Sequence, residues 1–445
     1  MANGMASLMV GSSGLRSAQT ALNTTAHNLS NVNTQGYTRQ QVTFTDTTYA
    51  NVFSSSIVPG KYGLGVDIGA ISRVRNDFID RSYRTEYSRL GFYESQANAV
   101  YEVEDWFGEM QGVTYQQHIT DLYNSINELT KNPTSTIARS SLIQNATAFI
   151  DRSQAIYSGL KDYQITLNTE VSSMVDKINE LGQKIYSLNK SISKVEAGGV
   201  ERANDLRDTR DLALDELSQY LDIDYYETTD GQIIISAENI PFVSKSEVNT
   251  MDVRQEGQYG LLIPEWTAYE KDVFSFEKAA SNANNNDRGK LKGLLVARGT
   301  IDVNYQDVPV MPDKSDYDLT TAEGMAQYNS AMDDYQKQQD YYNKYIEPSA
   351  ILSAIAGFDK LVNGIVTALN DVLCPEKEVE TTTEMTDDEG NPLQADKYVY
   401  NASQYGRLYD RFGNVVEGTD NGDGTYSYTS VSYTHLRAHE TLSDL

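Results

Sequence analysis

Between Met1 and Thr45 the chain carries only two charged side chains, Arg16 and Arg39, although charged residues make up 22% of the whole. Through this stretch leucine stands at every seventh position, at Leu8, Leu15, Leu22 and Leu29, and Gly11, Ala18, Thr25 and Val32 fill the complementary register. The 3-4 alternation predicts a helix with a coiled-coil seam, small on one side so that a neighbouring helix can come close. A helix with one face in water normally carries charge on that face. Here the remaining faces hold Ser, Thr, Asn and Gln, which can hydrogen-bond across an interface without the desolvation cost of a charge. The expectation is packing on several sides at once. On the pattern alone the covering surface is another molecule or the core of one globular domain, because periodicity does not identify the partner.

The segment that ends this helix reads His27-Asn28-Leu29-Ser30-Asn31-Val32-Asn33-Thr34-Gln35-Gly36-Tyr37-Thr38-Arg39-Gln40. Asn31, Asn33 and Gly36 are residue types that tolerate left-handed backbone and stop helices, and Tyr37 to Phe44 alternates as an extended segment would. The passage resembles the signature of the bacterial flagellar axial proteins, the rod, hook and hook-associated families. What the resemblance implies is assembly. Leu8, Leu15, Leu22 and Leu29, with Ala18, would carry subunit packing, and Asn28, Asn31, Asn33, Gly36 and Tyr37 would fix the exit from the helix. His27 is expected as an interface hydrogen-bonder rather than a base.

With 63 acidic against 36 basic side chains the net charge is -27, which repels nucleic acid and an anionic lipid surface alike. The single cysteine, Cys374, allows no intramolecular disulfide and is expected as a small core residue. No run of about 18 apolar residues predicts a membrane span, and the N-terminus has no basic region followed by an apolar one. Alone, these facts point to the cytoplasm. The resemblance implies instead an extracellular protein that leaves unfolded through the flagellar export apparatus, attended by a chaperone, without a cleaved signal.

Further along, Gly63-Leu64-Gly65-Val66-Asp67-Ile68-Gly69 leads into Ile71-Ser72-Arg73-Val74-Arg75-Asn76-Asp77-Phe78-Ile79. Such glycines occur in dinucleotide loops, but no strand-loop-helix unit with an acidic residue about 20 positions on fits here. The passage is similar to one that follows the opening motif in hook-associated proteins, and a short strand feeding a helix is expected. From Tyr83 to Leu129 the pattern is helical, with Phe92, Val100, Val103, Trp106 and Phe107 on a core face and Asn132-Pro133 as its break. A longer helix follows. Leu160, Leu167, Met174, Leu181, Leu188 and Val195 stand seven apart, with Val171, Ile178, Ile185 and Ile192 in the second register. At roughly 1.5–3 kcal/mol for each fully buried aliphatic side chain these positions outweigh local propensity, so a partner helix is expected until Gly198-Gly199. Val200 to Leu221, again helical, is a candidate partner.

Within it, Asp205-Leu206-Arg207-Asp208-Thr209-Arg210-Asp211-Leu212-Ala213-Leu214-Asp215-Glu216-Leu217 resembles a passage of the hook-associated protein 1 family that rod and hook proteins lack. Its alternating charges read as solvated ion pairs on an exposed helix face, worth a few tenths of a kcal/mol, rather than a metal or phosphate site. Beyond it, Ile223 to Tyr226 and Gln232 to Ser236 flank Thr228-Thr229-Asp230-Gly231, where Asp-Gly marks a hairpin. A β-rich region is expected to continue to residue 275 or so. Arg288 to Arg298 is similar to a second passage of that family, one that leads back to a helical stem. Residues 302–345 predict a loop and then a polar helix. Pro348 opens an apolar helix through Ile351, Ile355, Phe358, Leu361, Ile365 and Leu369.

From Glu376 to Thr429 the chain is acidic and turn-rich, with Glu389-Gly390-Asn391-Pro392, Phe412-Gly413-Asn414 and Asp420-Asn421-Gly422-Asp423-Gly424. The last lacks the alternating oxygen ligands and closing glutamate of a calcium loop and predicts β-turns. With Tyr398, Tyr400, Tyr405, Tyr409, Tyr426 and Tyr428 it suggests a small exposed β insertion. Val431-Ser432-Tyr433-Thr434-His435-Leu436-Arg437-Ala438-His439-Glu440-Thr441 resembles the translation of a sequencing adapter, so the reading frame is expected to leave the natural gene near Ser430. In the resembled family a second apolar helix at the C-terminus pairs with the opening one; here that partner is expected to be missing.

Chemistry finds little support in the pattern. His435 and His439 fall in the suspect tail, and His27 and His118 have no cysteine or carboxylate at metal-ligand spacing. Neither a catalytic residue, a cofactor site nor a metal site is expected, and the chain reads as no enzyme. The expected fold is mixed α and β: an axial core segment (1–45), a long α-helical coiled-coil stem (46–221, with a return at 301–373), a β-rich outer domain (222–300), a small β insertion (374–430) and a non-native tail (431–445). The function implied is a structural axial component at the junction between hook and filament, self-assembling and meeting the hook protein and the second hook-associated protein. Alternatives are another axial protein of hook or rod type, a secreted coiled-coil adhesin with a calcium-stabilised β tip, or a hydrolase using an acidic pair, for which no pair stands out.

Overall fold

The computed structural model describes residues 2–52, 60–108, 114–199, 202–257, 260–276, 278 and 280–373, and beyond them eight two-residue strands between 378 and 427. The chain divides into two compact units, Met1–Ala97 with Leu167–Val296, and Asn98–Thr166 with Ala297–Leu445. Two helices, α2 (Asp77–Phe107) and α4 (Thr136–Glu196), contribute residues to both.

In the first unit, α1 (Ala2–Ser30) lies on a long β-hairpin of β1 (Gln40–Asp46) and β4 (Val66–Arg73). Beyond it, β2 (Tyr49–Val52) pairs with β3 (Gly60–Gly63). The register runs from Gln40 opposite Arg73 to Asp46 opposite Val66, with a shift between Thr43 and Phe44. The helix is docked by its polar side. Ser17 and Thr24 are buried, while Leu8, Leu15, Leu22 and Leu29 are 75%, 78%, 65% and 74% exposed. Ser13 Oγ accepts from the Val66 N–H at 3.2 Å and Ser17 Oγ donates to the Val66 carbonyl at 3.4 Å. Both serines satisfy a strand of their own chain. Gly65, at φ +115°, lets the hairpin approach, because a Cβ there would collide with Ser13 Oγ.

The expected helix from Tyr83 to Leu129 is two helices. α2 ends at Gly108, which takes φ +69°, and α3 (Tyr115–Lys131) restarts at Thr114, whose side chain accepts from Gln117 N. Asn132 ends α3, where the sequence places the break. The core face of α2 also differs from expectation. Phe92 is buried, but Val100 and Trp106 are 41% and 37% exposed. Small residues take the inner face instead: Ser88, Gly91, Ser95 and Ala99. A Cβ on Gly91 would sit 2.5 Å from the Gln219 carbonyl, so the chain passes close enough to exclude a large side chain.

After α5 (Asn204–Tyr220) come β5 (Ile223–Glu227), β6 (Ile233–Ala237) and β7 (Ile240–Val243), hydrogen-bonded in that order. A second antiparallel sheet holds β8 (Met251–Glu256), β9 (Leu261–Trp266) and β10 (Lys271–Asp272). The Asp-Gly hairpin lies where the sequence puts it, with Gly231 at φ +79°. α6 (Lys290–Arg298) closes this part of the chain.

Along α4 the buried stripe reads Leu160, Gln164, Leu167, Val171, Val175, Ile178, Leu181, Ile185, Asn189 and Ile192. The strict seven-residue series drifts off it: Met174 and Leu188 are half-buried and Val195 is 40% exposed. A straight helix turns 3.6 residues per turn and departs by about 20° per heptad from a 3.5 repeat, so the stripe steps from 174 to 175 and from 188 to 189. The expected partner helix is therefore supplemented by strands. Gly182 lies against the Phe242 ring of β7, and Asn168, Asn179 and Asn189 bond to strands.

In the second unit, Phe107, Tyr115, Phe149 and Phe358 form an aromatic cluster with centroid separations of 5.1 to 6.5 Å. It is built from α3, α4 and α8 (Ala350–Leu373) with the end of α2, while α7 (Ala322–Tyr345) is the polar helix the sequence predicts. α8 buries Ile351, Ile355, Phe358, Val362 and Val366, whereas Leu361 is 46% exposed. Residues 350–369 are long and apolar enough to cross a membrane by length and composition, which corrects the expectation that no such stretch exists; 44% of that window is buried inside the protein. Beyond α8 the described residues form antiparallel pairs, 378–379 with 398–399, 385–386 with 392–393, 403–404 with 407–408 and 419–420 with 426–427. Cys374, the turns at 389–391, 412–414 and 421–424, Tyr400, Tyr405, Tyr409 and everything from 428 onward lie outside the described residues.

Candidate assembly surface

The exit from α1 is built around one amide. Asn28 Nδ2 donates to the Gln40 carbonyl at 2.8 Å and its Oδ1 accepts from Gln40 N at 2.9 Å and from the Tyr37 hydroxyl at 2.7 Å. The side chain thus replaces a neighbouring strand at the first residue of β1. Asn31 Nδ2 donates to the His27 carbonyl at 3.0 Å, and Thr34 donates to Asn31 Oδ1 at 3.2 Å, which closes the turn. His27 packs edge-on against Tyr37 at 5.5 Å. Gly36 takes φ +80°, and a Cβ there would press on Leu212 of α5. Burial and the nearby Asp208 and Asp205 push the Tyr37 hydroxyl above its ordinary range. Asn28, Asn31, Gly36 and Tyr37 are thus brought together; Asn33 and Ala18 point outward with the four leucines.

Beneath this exit lies a buried ionic plate on α5, and here the sequence reading is corrected. Arg207, Asp208, Arg210 and Asp211 are buried, not solvated. Their partners come from other elements. Arg73 Nη1 of β4 contacts Asp208 at 2.8 Å and Asp211 at 2.6 Å, and Arg84 Nε of α2 meets Asp215 at 2.7 Å. Asp208 also accepts from Thr38 N at 3.1 Å, tying the plate to the exit segment. On the other side Arg207 forks onto both oxygens of Glu196 at 2.7 Å and reaches Glu227. The Arg207 hydrogen bond is the largest of the causes that hold the Glu196 carboxyl down at about 2. Arg210, with no exposed surface, donates to the Gly231 carbonyl at 2.6 Å and to Asn189 Oδ1 at 3.1 Å, and burial lowers its pKa to about 10. An Arg-carboxylate fork is directional as well as charged, so the plate fixes the hairpin, the exit segment, α2, α4 and β5–β6 to one helix.

Three asparagines on α4 repeat the Asn28 device. Asn179 donates to the Met251 carbonyl at 2.8 Å and accepts from Met251 N at 2.9 Å; Asn189 does the same to Ile233 at 2.7 and 3.0 Å. Asn168 donates to the Gly260 carbonyl and accepts from Leu262 N. Met251 opens β8 and Ile233 opens β6, so each amide docks the start of a strand. Sequence reasoning missed these residues. The available signal was Asn189, a polar residue in the register of Ile185 and Ile192. Among the described residues no group of three or more His, Cys, Asp or Glu side chains is arranged to hold a metal ion.

The model of the flagellar hook-associated protein FlgK helical domain matches residues 100–313, and that of the flagella basal body rod protein matches residues 8–38. Over 335 residues the chain is 29% identical to flagellar hook-associated protein 1 of Bacillus subtilis, covering 71% of this chain and 64% of that one. Over these stretches the chain is similar to flagellar hook-associated protein 1. The hook-associated protein 1 of Escherichia coli is 27% identical over 228 residues, 51% of this chain and 41% of its own. The chain therefore spans less than two thirds of the length of these relatives. A solved structure, the flagellar hook junction protein FlgK from Burkholderia pseudomallei, aligns with a TM-score of 0.40 and 18% identity over 50% of this chain and 38% of that one. The rod-type match ends at Thr38, within the exit turn, and the helical-domain match includes α5 and Asn168, Asn179 and Asn189 of α4.

Proposed function

We propose that this chain is a structural, non-catalytic component of the bacterial flagellar axis, placed outside the cell at the junction between hook and filament. The observation that carries the reading is the inverted opening helix. This chain, similar to flagellar hook-associated protein 1, presents four leucines to solvent at heptad spacing while its polar side is satisfied from within. Exposed aliphatic side chains in register form a surface made to be covered. Leu8, Leu15, Leu22, Leu29 and Ala18 would meet neighbouring subunits, and the exit turn of Asn28, Asn31, Asn33, Gly36 and Tyr37 would set the angle at which the helix is presented. Partners in this reading are further copies of the chain, the hook protein and the second hook-associated protein, with delivery by the flagellar export apparatus and its chaperone.

Immunogold electron microscopy on the native cells, with antibody raised against this chain, tests the reading. The expected label is a single band at the distal end of each hook. Label scattered over the cell surface, together with calcium-dependent thermal stability, would favour the adhesin alternative and end this one.

A further inference from the structure

Within the first unit a cleft of about 960 Å³ opens between the β6–β7 turn, the segment around β10 and the start of α6. Every non-glycine residue with left-handed φ among the described residues lines it: Glu238 at +48°, Asn239 at +64°, Glu270 at +48° and Asn285 at +52°. Asparagine tolerates that backbone and glutamate does so rarely. At 238 and 270 the chain therefore keeps an acid where glycine would fit at lower cost.

In a chain of net charge -27 this cleft is a place where cations stand unpaired. Lys271, Lys278 and Lys292 line it, and among the described residues none of the three makes an ion pair or a hydrogen bond. Lys292 is only 7% exposed, and it faces the cleft. Arg288 is committed at two nitrogens, to Asp222 at 2.8 Å and to Asn285 at 2.6 Å, but its Nε is buried without a partner. Arg288 and Lys292 are four positions apart where α6 begins, which sets them on one face.

The carboxylates of the cleft leave these donors free. Asp222 is held by Arg288, and Asp272 by Arg254 at 3.0 Å. Glu238 accepts from Asp222 N at 3.3 Å, and burial pushes its carboxyl up to about 7 against the opposing charge of Lys292. Near neutrality, then, three lysines face Glu270 and a Glu238 that is partly protonated. Buried donors without acceptors are costly, and a bound anion would satisfy them. Ile240 and Phe276 add an apolar wall, with the Phe276 ring 6.4 Å from that of Phe274. The Asn239 amide at the rim can both donate and accept, which suits a hydroxyl group.

We propose that this cleft binds a small hydroxylated organic acid, its carboxylate between Lys292 Nζ and Arg288 Nε and its body against Phe276 and Asn239. A free hydroxy acid and the acidic residue of a saccharide share this chemistry. The site is independent of the assembly reading above.

Calorimetric titration of the full chain at about pH 6 and constant ionic strength tests it, with sodium glucuronate, sodium lactate and glucose as probes. Saturable binding of an acid and none of glucose is expected; glucuronate binding the tighter names a saccharide, lactate the tighter a free acid. Lys292→Met should weaken binding about tenfold or more, the equivalent of about 1.4 kcal/mol. It should not lower the Tm, since it removes a buried ammonium without an acceptor. Lys278→Glu, on the exposed rim, should also weaken binding, and it decides the matter should Lys292→Met not fold. Affinity should fall between about pH 6 and 8 as Glu238 ionises, and Glu238→Gln should abolish that fall. The proposal is overturned by glucose binding as well as the acids, by no saturable binding of either acid at millimolar concentration, or by affinity unchanged in both lysine variants.

Discussion

At the scale of single residues, the docking of strands onto α4 rests on amides that a hydrophobic pattern passes over. Asn179 satisfies both polar groups of Met251, so Asn179→Leu keeps the volume and leaves a buried N–H and carbonyl unpaired. A loss of about 1–3 kcal/mol is expected, read as a lower denaturation midpoint with unchanged denaturant slope. Two glycines of the same helix should answer differently to alanine, which helical propensity alone favours by about 1 kcal/mol. At Gly182 the new Cβ would stand 2.5 Å from Phe242, which is 1% exposed and has nowhere to go. At Gly159 it would meet the Trp106 ring, which is 37% exposed and can swing outward. Gly182→Ala should therefore be the more destabilising by about 1–2 kcal/mol; equal midpoints would show that Phe242 is not rigidly held. Glu238 supplies a pH dependence. Burial is the main cause that pushes its carboxyl up to about 7, with Lys292 opposing. A raised folded pKa means stability that is complete below the unfolded value and lost as pH rises through the folded one. Between about pH 4.5 and 7 the chain should lose on the order of 1–3 kcal/mol from this group, and Glu238→Gln should flatten that slope in midpoints measured across the window.

Among the elements, the hairpin at Asp230-Gly231, the polar helix α7, the break at Asn132 and the helix opening after Pro348 were legible because local chemistry dictates each of them. The face of a helix was legible only where its partner matched the assumed one. α4 reads as a coiled-coil seam, but strands cover part of it, and a strand imposes no 3.5 repeat to hold the stripe straight. α5 reads as solvated because its charges are spaced for pairing along one helix, while Arg73, Arg84, Glu196 and Glu227 that bury them are 11 to 138 residues away in sequence. The exit turn was legible as a turn, but the role of Asn28 as a substitute strand was not, since its partner Gln40 is recognisable only once the chain has folded back. At its C-terminal end α1 is tied to β1 by Asn28 on Gln40, and further toward its N-terminus it is docked by Ser13 and Ser17 on Val66 and by the approach at Gly65. Gly65→Ala introduces both a collision and an L-residue at φ +115°. The expected outcome is local, with amide hydrogen exchange across residues 8–30 accelerating at least tenfold while α4 and α5 keep their protection. Uniform acceleration throughout the first unit would mean that α1 is part of the global folding unit.

For the whole molecule, composition and local surface act in opposite directions, and salt separates them. Each copy carries a net charge of -27, so two copies repel at long range, while the opening segment with its two arginines and no acid is one place where another copy is not repelled. The local arrangement selects which faces meet; the total charge sets how hard it is to bring them together. Long-range repulsion is screened beyond a Debye length of about 8 Å at 0.15 M salt, whereas burial of leucine side chains is not weakened by added salt. If the exposed leucines drive association, affinity should rise as sodium chloride is increased from about 0.01 M, where the Debye length is about 30 Å, to 0.15 M. Sedimentation velocity across that series reads the outcome directly. Affinity that instead falls steadily with salt would assign the contact to a few opposite charges, and the exposed leucines at 8, 15, 22 and 29 would then need a different occupant.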